Sequence, residues 1–197
     1  MFPKAFALAA LLALGACGAA KQPFAPDEAV AAAQYVHPGP TALTLFTVVN
    51  NSSGGGAHTG LMINASERVL FDPAGSWTHP RLPERNDMHY GINDRMVAFY
   101  IDYHARVTYR VIEQTVLVSP QVAEMVKARA IAYGSVPKAH CADSVTQILQ
   151  GVPGFETIPT TWFPNKLSEA FGKLPGATYR EIRDDDADKN HGVLLVE

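Results

Sequence analysis

The sequence predicts an α+β domain in which helices pack on an antiparallel sheet. Two patterns lead there. Segments rich in β-branched and aromatic residues fill the first part of the chain, and segments with helical start and stop signals follow Ser119. Strands first and helices afterwards is the order of an α+β fold, since a parallel α/β sheet would alternate them. The stretch from residue 41 to residue 197 has the length of one ordinary domain.

The elements follow in order. "TALTLFTVV" (41–49) reads as a strand, and "NNSSGGGA" (50–57) as a flexible loop. "HTGLMIN" (58–64) and "RVLFD" (68–72) read as two short strands joined by a tight turn at Asn64, Ala65 and Ser66. Residues 73–94 are rich in Pro, Gly, Asn and Asp and read as a long loop. "RMVAFYID" (95–102) and "ARVTYRVIEQTVLV" (105–118) read as strands again. Ser119 then caps a helix with Pro120 in its first turn and Gly134 at its end. A second helix starts at Cys141 with Gly151 past its end, and a shorter one spans 164–171. The acidic run at Asp184–Asp186 is expected in solvent, ahead of an apolar "GVLLVE".

The N-terminus reads as an export signal. Lys4 supplies the positive charge, and Ala5–Leu14 form an apolar run too short to span a bilayer. The run ends in "LGAC", small residues leading to Cys17, which resembles a bacterial lipobox. That resemblance implies a signal peptide over residues 1–16, lipidation of Cys17, and attachment to the membrane through lipid. Gly18 follows, with no Asp there, as in lipoproteins sent to an outer membrane facing the periplasm. Residues 17–40, rich in Ala and Pro, read as a tether with a short helix near Asp27–Tyr35. The domain is 41–197. The net charge of −3 argues against a nucleic-acid partner.

The chain has two cysteines. With Cys17 lipidated, Cys141 lacks a disulfide partner, so it is either an inert core thiol or a reactive one. Cys141, Val145, Ile148 and Leu149 share one helix face, so the cysteine begins an inward stripe. It also lies in the first turn, where unpaired N–H groups and the helix dipole favour a thiolate, with Asp143 opposing. A reactive thiolate needs a base and an orienting group. A three-residue turn at Asn64–Ser66 pairs Ile63 with Glu67, Leu61 with Val69, Thr59 with Phe71 and His58 with Asp72. Leu61, Ile63, Val69 and Phe71 then form a core face. His58, Met62, Leu70 and Asp72 form the other, across which the Cys141 helix is expected to pack.

The stretches "HTGLMINASERVLFD" and "SPQVAEMVKARAIAYG…HCADSVTQIL" resemble the circularly permuted papain-like enzymes, a superfamily that includes lecithin retinol acyltransferase-like proteins and NlpC-type cell-wall hydrolases. The resemblance covers roughly residues 43–149. It implies a permuted papain-like fold in which Cys141 is the nucleophile, His58 the base and Asp72 the third polar residue. Two positions depart from the pattern: His140 stands where many relatives have Asn, and Asp72 where His or Asn is common. A carboxylate orients imidazole well. The implied activity is hydrolysis, or transfer, at an amide or peptide bond of the cell wall or at an acyl bond of a lipid. The alternative is a non-enzymatic envelope lipoprotein that binds a partner and keeps Cys141 as a core residue.

No cofactor is expected. His79, His89 and His104, with Asp87, Asp94 and Asp102, contain no tight pair such as H-x-x-x-H and read as solvated loop residues rather than a metal site. Trp77 and Tyr90 are candidates for the wall of a substrate cleft. His140 is expected to be a local structural or surface residue rather than the base, because adjacent helix residues point in different directions. "NSSGGGA" lacks the Lys and Ser/Thr of a phosphate-binding loop.

Overall fold

The structure, a computed structural model, describes residues 23–188. Among the described residues, seven strands form one antiparallel sheet with helices on both faces. They are β1 (Ala42–Asn50), β2 (Gly56–Asn64), β3 (Arg68–Phe71), β4 (Glu84–Arg85), β5 (Met88–Tyr90), β6 (Tyr109–Leu117) and β7 (Thr178–Ile182), in the spatial order β4-β5-β3-β2-β1-β6-β7. The helices are α1 (Asp27–Ala32), α2 (Asp94–His104), α3 (Pro120–Tyr133), α4 (Cys141–Leu149) and α5 (Pro164–Phe171). The predicted α+β class, with its antiparallel sheet and packed helices, is the one observed.

Strand β1 lies inside the sheet between β2 and β6, and its residues Ala42–Val49 are all buried, as a strand covered on both faces must be. Leu43, Leu45, Leu61, Ile63, Val69 and Phe71 face α3, α4 and α5. Phe46, Leu70 and Val111 face α2 and Trp77.

That second layer corrects one expectation. Residues 95–102 form helix, not strand. Their β-branched and aromatic content, with Val97, Phe99 and Ile101 alternating, imitates a strand. The buried Met96, Phe99 and Tyr100 nevertheless repeat at helical spacing. Asn93 caps the helix by accepting from the Met96 N–H at 3.0 Å.

The long 73–94 segment contains β4 and β5, which extend the sheet beyond β3. Strand β7 was also absent from the sequence-based expectation. It is an exposed edge strand with little apolar content, held to β6 through backbone pairing and an Arg180–Glu113 ion pair. Part of the expected tether is laid against the domain. Phe24 bridges to Arg85, Tyr35 O accepts from Arg68 N at 2.8 Å, and Pro40 O accepts from Asn64 Nδ2 at 2.6 Å. Cys17 and the signal segment lie outside the described residues.

The β2–β3 turn is one residue further along than predicted. Asn64 pairs with Arg68, leaving Ala65, Ser66 and Glu67 in the turn, and Leu61 pairs with Phe71 rather than Val69. Asn64 stays in the strand through its bond to Pro40 O, and Ser66 N donates to Glu124 Oε1 of α3 at 2.5 Å. A register change of two residues preserves which face each side chain occupies. His58 and Asp72 therefore keep a common face but are diagonal neighbours, not a directly opposed pair.

Candidate active site

His58 and Asp72 meet on the α2 face. His58 Nε2 lies 2.7 Å from Asp72 Oδ1, and Tyr100 donates its hydroxyl to the same oxygen at 2.8 Å. The Asp72 side chain is 1% exposed and that of His58 is 15% exposed. Two glycines leave the room this requires. A Cβ on Gly60 would lie 2.2 Å from Tyr100 Oη, and one on Gly75 would lie 1.8 Å from Asp72 Oδ2. Both are well inside any real contact distance.

Cys141 arrives from the other layer. Helix α4 packs on the Leu61 and Ile63 face, opposite to the face carrying His58, so the expectation that it crosses the His58 face is corrected. The stripe Val145, Ile148 and Leu149 belongs to the larger core cluster, and this draws the whole helix to that side. The thiol still reaches His58, because β2 outruns its neighbour. The β2–β3 pairing covers only Leu61–Asn64 on β2, and the register continues Thr59 onto Pro73. Arg68 N donates to Tyr35 O and Asp72 N to Asp87 O, so even-numbered N–H groups of β3 point away from β2. Odd-numbered residues are the ones that would donate to β2, and Pro73 has no N–H to give. The strand turns away there. The first turn of α4 occupies the edge it leaves, and this brings the thiol close to the Thr59 N–H and the His58 ring.

The charges reinforce one another. Burial pushes the Cys141 thiol up, but the His58 hydrogen bond and charge, with the N–H groups of Thr59 and Ala142, hold it below its ordinary range. Burial alone would lower His58. The charge and hydrogen bond of Asp72, then of Cys141, raise it instead. Burial likewise works against the Asp72 carboxylate, and His58 holds it well below the usual carboxylate range. An ionised Asp72 is an acceptor only, so Nε2 of His58 carries a proton and the nitrogen left for sulfur is Nδ1.

The remaining polar residues separate into distinct roles. His104 stacks on His58 with ring centroids 5.5 Å apart, and its Nδ1 lies 2.8 Å from Tyr100 O. Ligand atoms of His58, Asp72 and His104 lie within 4.8 Å of one another. A metal there would compete with His58 for the Asp72 carboxylate, which already accepts from His58 and Tyr100. The other residues weighed for a metal site are dispersed. His79 stacks on Phe99, Asp94 binds Arg68, and Asp102 binds Arg106. His89 is buried 4.9 Å from Trp77, and burial lowers it to about 4. Asp87 accepts from Ala74 N at 3.1 Å and Val136 N at 2.8 Å, joining the turn after Asp72 to the segment before Cys141. His140 lies against Trp162, centroids 4.2 Å apart, and its Nδ1 is 3.6 Å from Asp143 Oδ2.

A cleft of about 510 Å³ opens on the α2 face beside His58, lined by Ala57, Ala74, Ser76, Tyr103 and His104 among others. Trp77 and Tyr90 are core residues instead of cleft walls. Tyr100 and His104 are the site residues that sequence reasoning missed. Their signal was the helical spacing within 94–104, hidden by the strand-like composition.

No family profile, curated protein or solved structure matches this chain. Among the described residues no helix is long and apolar enough to cross a membrane.

Proposed function

We propose that this chain is a cysteine hydrolase of the circularly permuted papain-like kind, held by lipid on Cys17 in a bacterial envelope, with the outer membrane facing the periplasm as its site. One observation carries the catalytic part. The His58 ring bonds Asp72 at 2.7 Å on one side, and the Cys141 thiol, at the first turn of a helix, lies beside the ring closely enough to raise its titration.

In this mechanism the Cys141 thiolate attacks an acyl carbon, and the oxyanion is met partly by the Cys141 N–H. Protonated His58 gives its proton to the departing amine or alcohol as the C–N or C–O bond breaks, leaving a thioester. Neutral His58 then takes a proton from water, which attacks the thioester. The acid is released, and the thiolate–imidazolium pair is restored. Asp72 keeps Nδ1 directed at sulfur throughout. A wall peptide is the substrate that the proposed location favours, and an acyl lipid is the other substrate class of such enzymes.

A binding lipoprotein with an inert thiol is the second reading, favoured by the 7% exposure of Cys141. Iodoacetamide labelling of the native protein, followed by mass spectrometry, separates the two. A catalytic thiol labels at mildly acidic pH. His58→Ala should cut that rate by roughly 10- to 100-fold, the worth of a hydrogen bond between charged groups. It should leave much of the rate at pH 9.5, where an ordinary thiol ionises. His140→Ala should change it less than threefold. Wild-type protein that labels only after unfolding would end the enzyme proposal.

A further inference from the structure

The carboxylate of Asp72 is held in an unusual way. Its Oδ1 accepts from both His58 and Tyr100, whereas Oδ2 is buried without a hydrogen-bond partner. A buried tyrosine needs some partner for its hydroxyl, and that requirement alone would explain a bond to any nearby acceptor. It does not explain the choice of oxygen. Both donors converge on Oδ1, so the carboxylate's rotation is pinned from the α2 layer independently of His58.

The surroundings of Tyr100 are built for this placement. Its ring is 1% exposed, and Phe46 and Trp77 each pack with centroids 5.2 Å away. The backbone oxygen of Tyr100 pairs with His104 Nδ1, one helical turn on. On the facing strand, Gly60 lies between His58 and Met62 on the same face, and the missing Cβ is the space the hydroxyl uses. Burial and the Asp72 charge push the phenol well above its ordinary range, so it stays a donor at any working pH.

We infer that Tyr100 is a positioning residue for the thiol site: it fixes the Asp72 carboxylate so that His58 presents Nδ1 to Cys141 whatever the protonation state of the ring. This rests on the cysteine-hydrolase proposal and adds to it a fourth residue, contributed by α2. The two donors differ in what happens to them during a cycle. His58 gains and loses a proton and its bond to Oδ1 weakens and strengthens accordingly, while the Tyr100 bond persists. Without Tyr100, a buried carboxylate would retain one donor for two oxygens. It would take up a proton more readily and rotate when His58 is neutral.

The test is the pH profile of iodoacetamide labelling at Cys141 in full-length protein. Tyr100→Phe keeps the ring and removes only the hydroxyl. Its expected effect is about a tenfold loss of rate near pH 6, with the acid limb moved up by about one pH unit, as for loss of a donor to a charged acceptor. A double-mutant cycle supplies the readout that packing would not move. In an Asp72→Ala background, Tyr100→Phe should change the rate less than twofold, because its route to the thiol is gone. Thermal melts identify any variant that has lost its fold. If either Tyr100 variant has, Gly60→Ala in the wild-type and Asp72→Ala backgrounds is measured instead, since its Cβ displaces the hydroxyl from the facing strand. The same two expectations then apply. An unchanged profile for the folded single variant, a limb moved down, or an equal loss in both backgrounds overturns the inference. Wild-type protein lacking mildly acidic reactivity is a different failure, and it removes the hydrolase proposal itself.

Discussion

Replacing Cys141 by Ala should change how the stability of the fold depends on pH, and in a direction that reports the resting charge of the site. An ionised Cys141–His58 pair couples two opposite shifts. The His58 pKa is raised on folding from 6.5, and that of Cys141 is lowered from 9.0. At any pH below 6.5 where the folded pair is ionised, the unfolded chain carries both protons while the folded site carries one, so stability rises with pH. Between about 6.5 and 9.0 the unfolded chain has lost the imidazolium proton and kept the thiol proton, so both states hold one and stability is level. Above 9.0 the folded site retains the extra proton and stability falls, through the folded His58 value near 10. In Cys141→Ala only the His58 shift remains, supported by Asp72. A raised pKa contributes stability that is complete below 6.5 and lost as pH climbs, so the plateau disappears. The loss should approach about 1.4 kcal/mol per pH unit above neutrality, the slope for one proton. Urea unfolding followed by tryptophan fluorescence, at half-unit steps from pH 5 to 9.5, measures it. Parallel curves for wild type and variant across the neutral range would refute an ionised resting pair.

Other expectations concern parts of the molecule away from the thiol. Asp87→Ala removes one carboxylate oxygen that serves both Ala74 N and Val136 N, so it should cost roughly 2–4 kcal/mol in urea unfolding and slow labelling of Cys141. Cys17→Ser should abolish incorporation of labelled fatty acid and leave unprocessed precursor, and absence of label in the wild-type chain would refute the lipid anchor. Lowering the pH below about 3.8 should remove the stability held by the depressed carboxyl of Asp72, and Asp72→Asn should flatten that acid limb in the same unfolding series.

The parts of the site that were legible in the sequence are those fixed by short-range patterns. The helix start at Cys141 follows from its stripe of apolar residues. The common face of His58 and Asp72 follows from strand alternation, which survives a turn displaced by one residue because the pairing moves by two. What was hidden depends on neighbours distant in sequence. Tyr100 and His104 lie in a segment whose composition suits a strand, and only docking against Phe46, Leu70 and Val111 makes it the helix on that face. The turn position is set by Pro40 and Glu124, whose contacts with Asn64 and Ser66 span 24 and 58 residues of sequence. Strand β7 has so little apolar content that its pairing with β6 leaves no pattern of its own.

The meeting of thiol and imidazole depends on where one strand stops. The sheet separates α2 from α4, so residues contributed by opposite layers cannot meet through it. They meet around its edge, and that edge exists because β3 ends at Phe71 while β2 continues back to Gly56. Pro73 enforces this, since it stands at the register position where a donor to β2 would be required. The Thr59 N–H that a longer β3 would have covered is left to the sulfur of Cys141. The two residues before Pro73 divide the work. Phe71 closes the core beneath α4, and Asp72, facing the other way, orients the ring that the thiol reaches. A single strand end therefore sets both the opening through which Cys141 approaches and the position of the carboxylate that bonds the His58 ring.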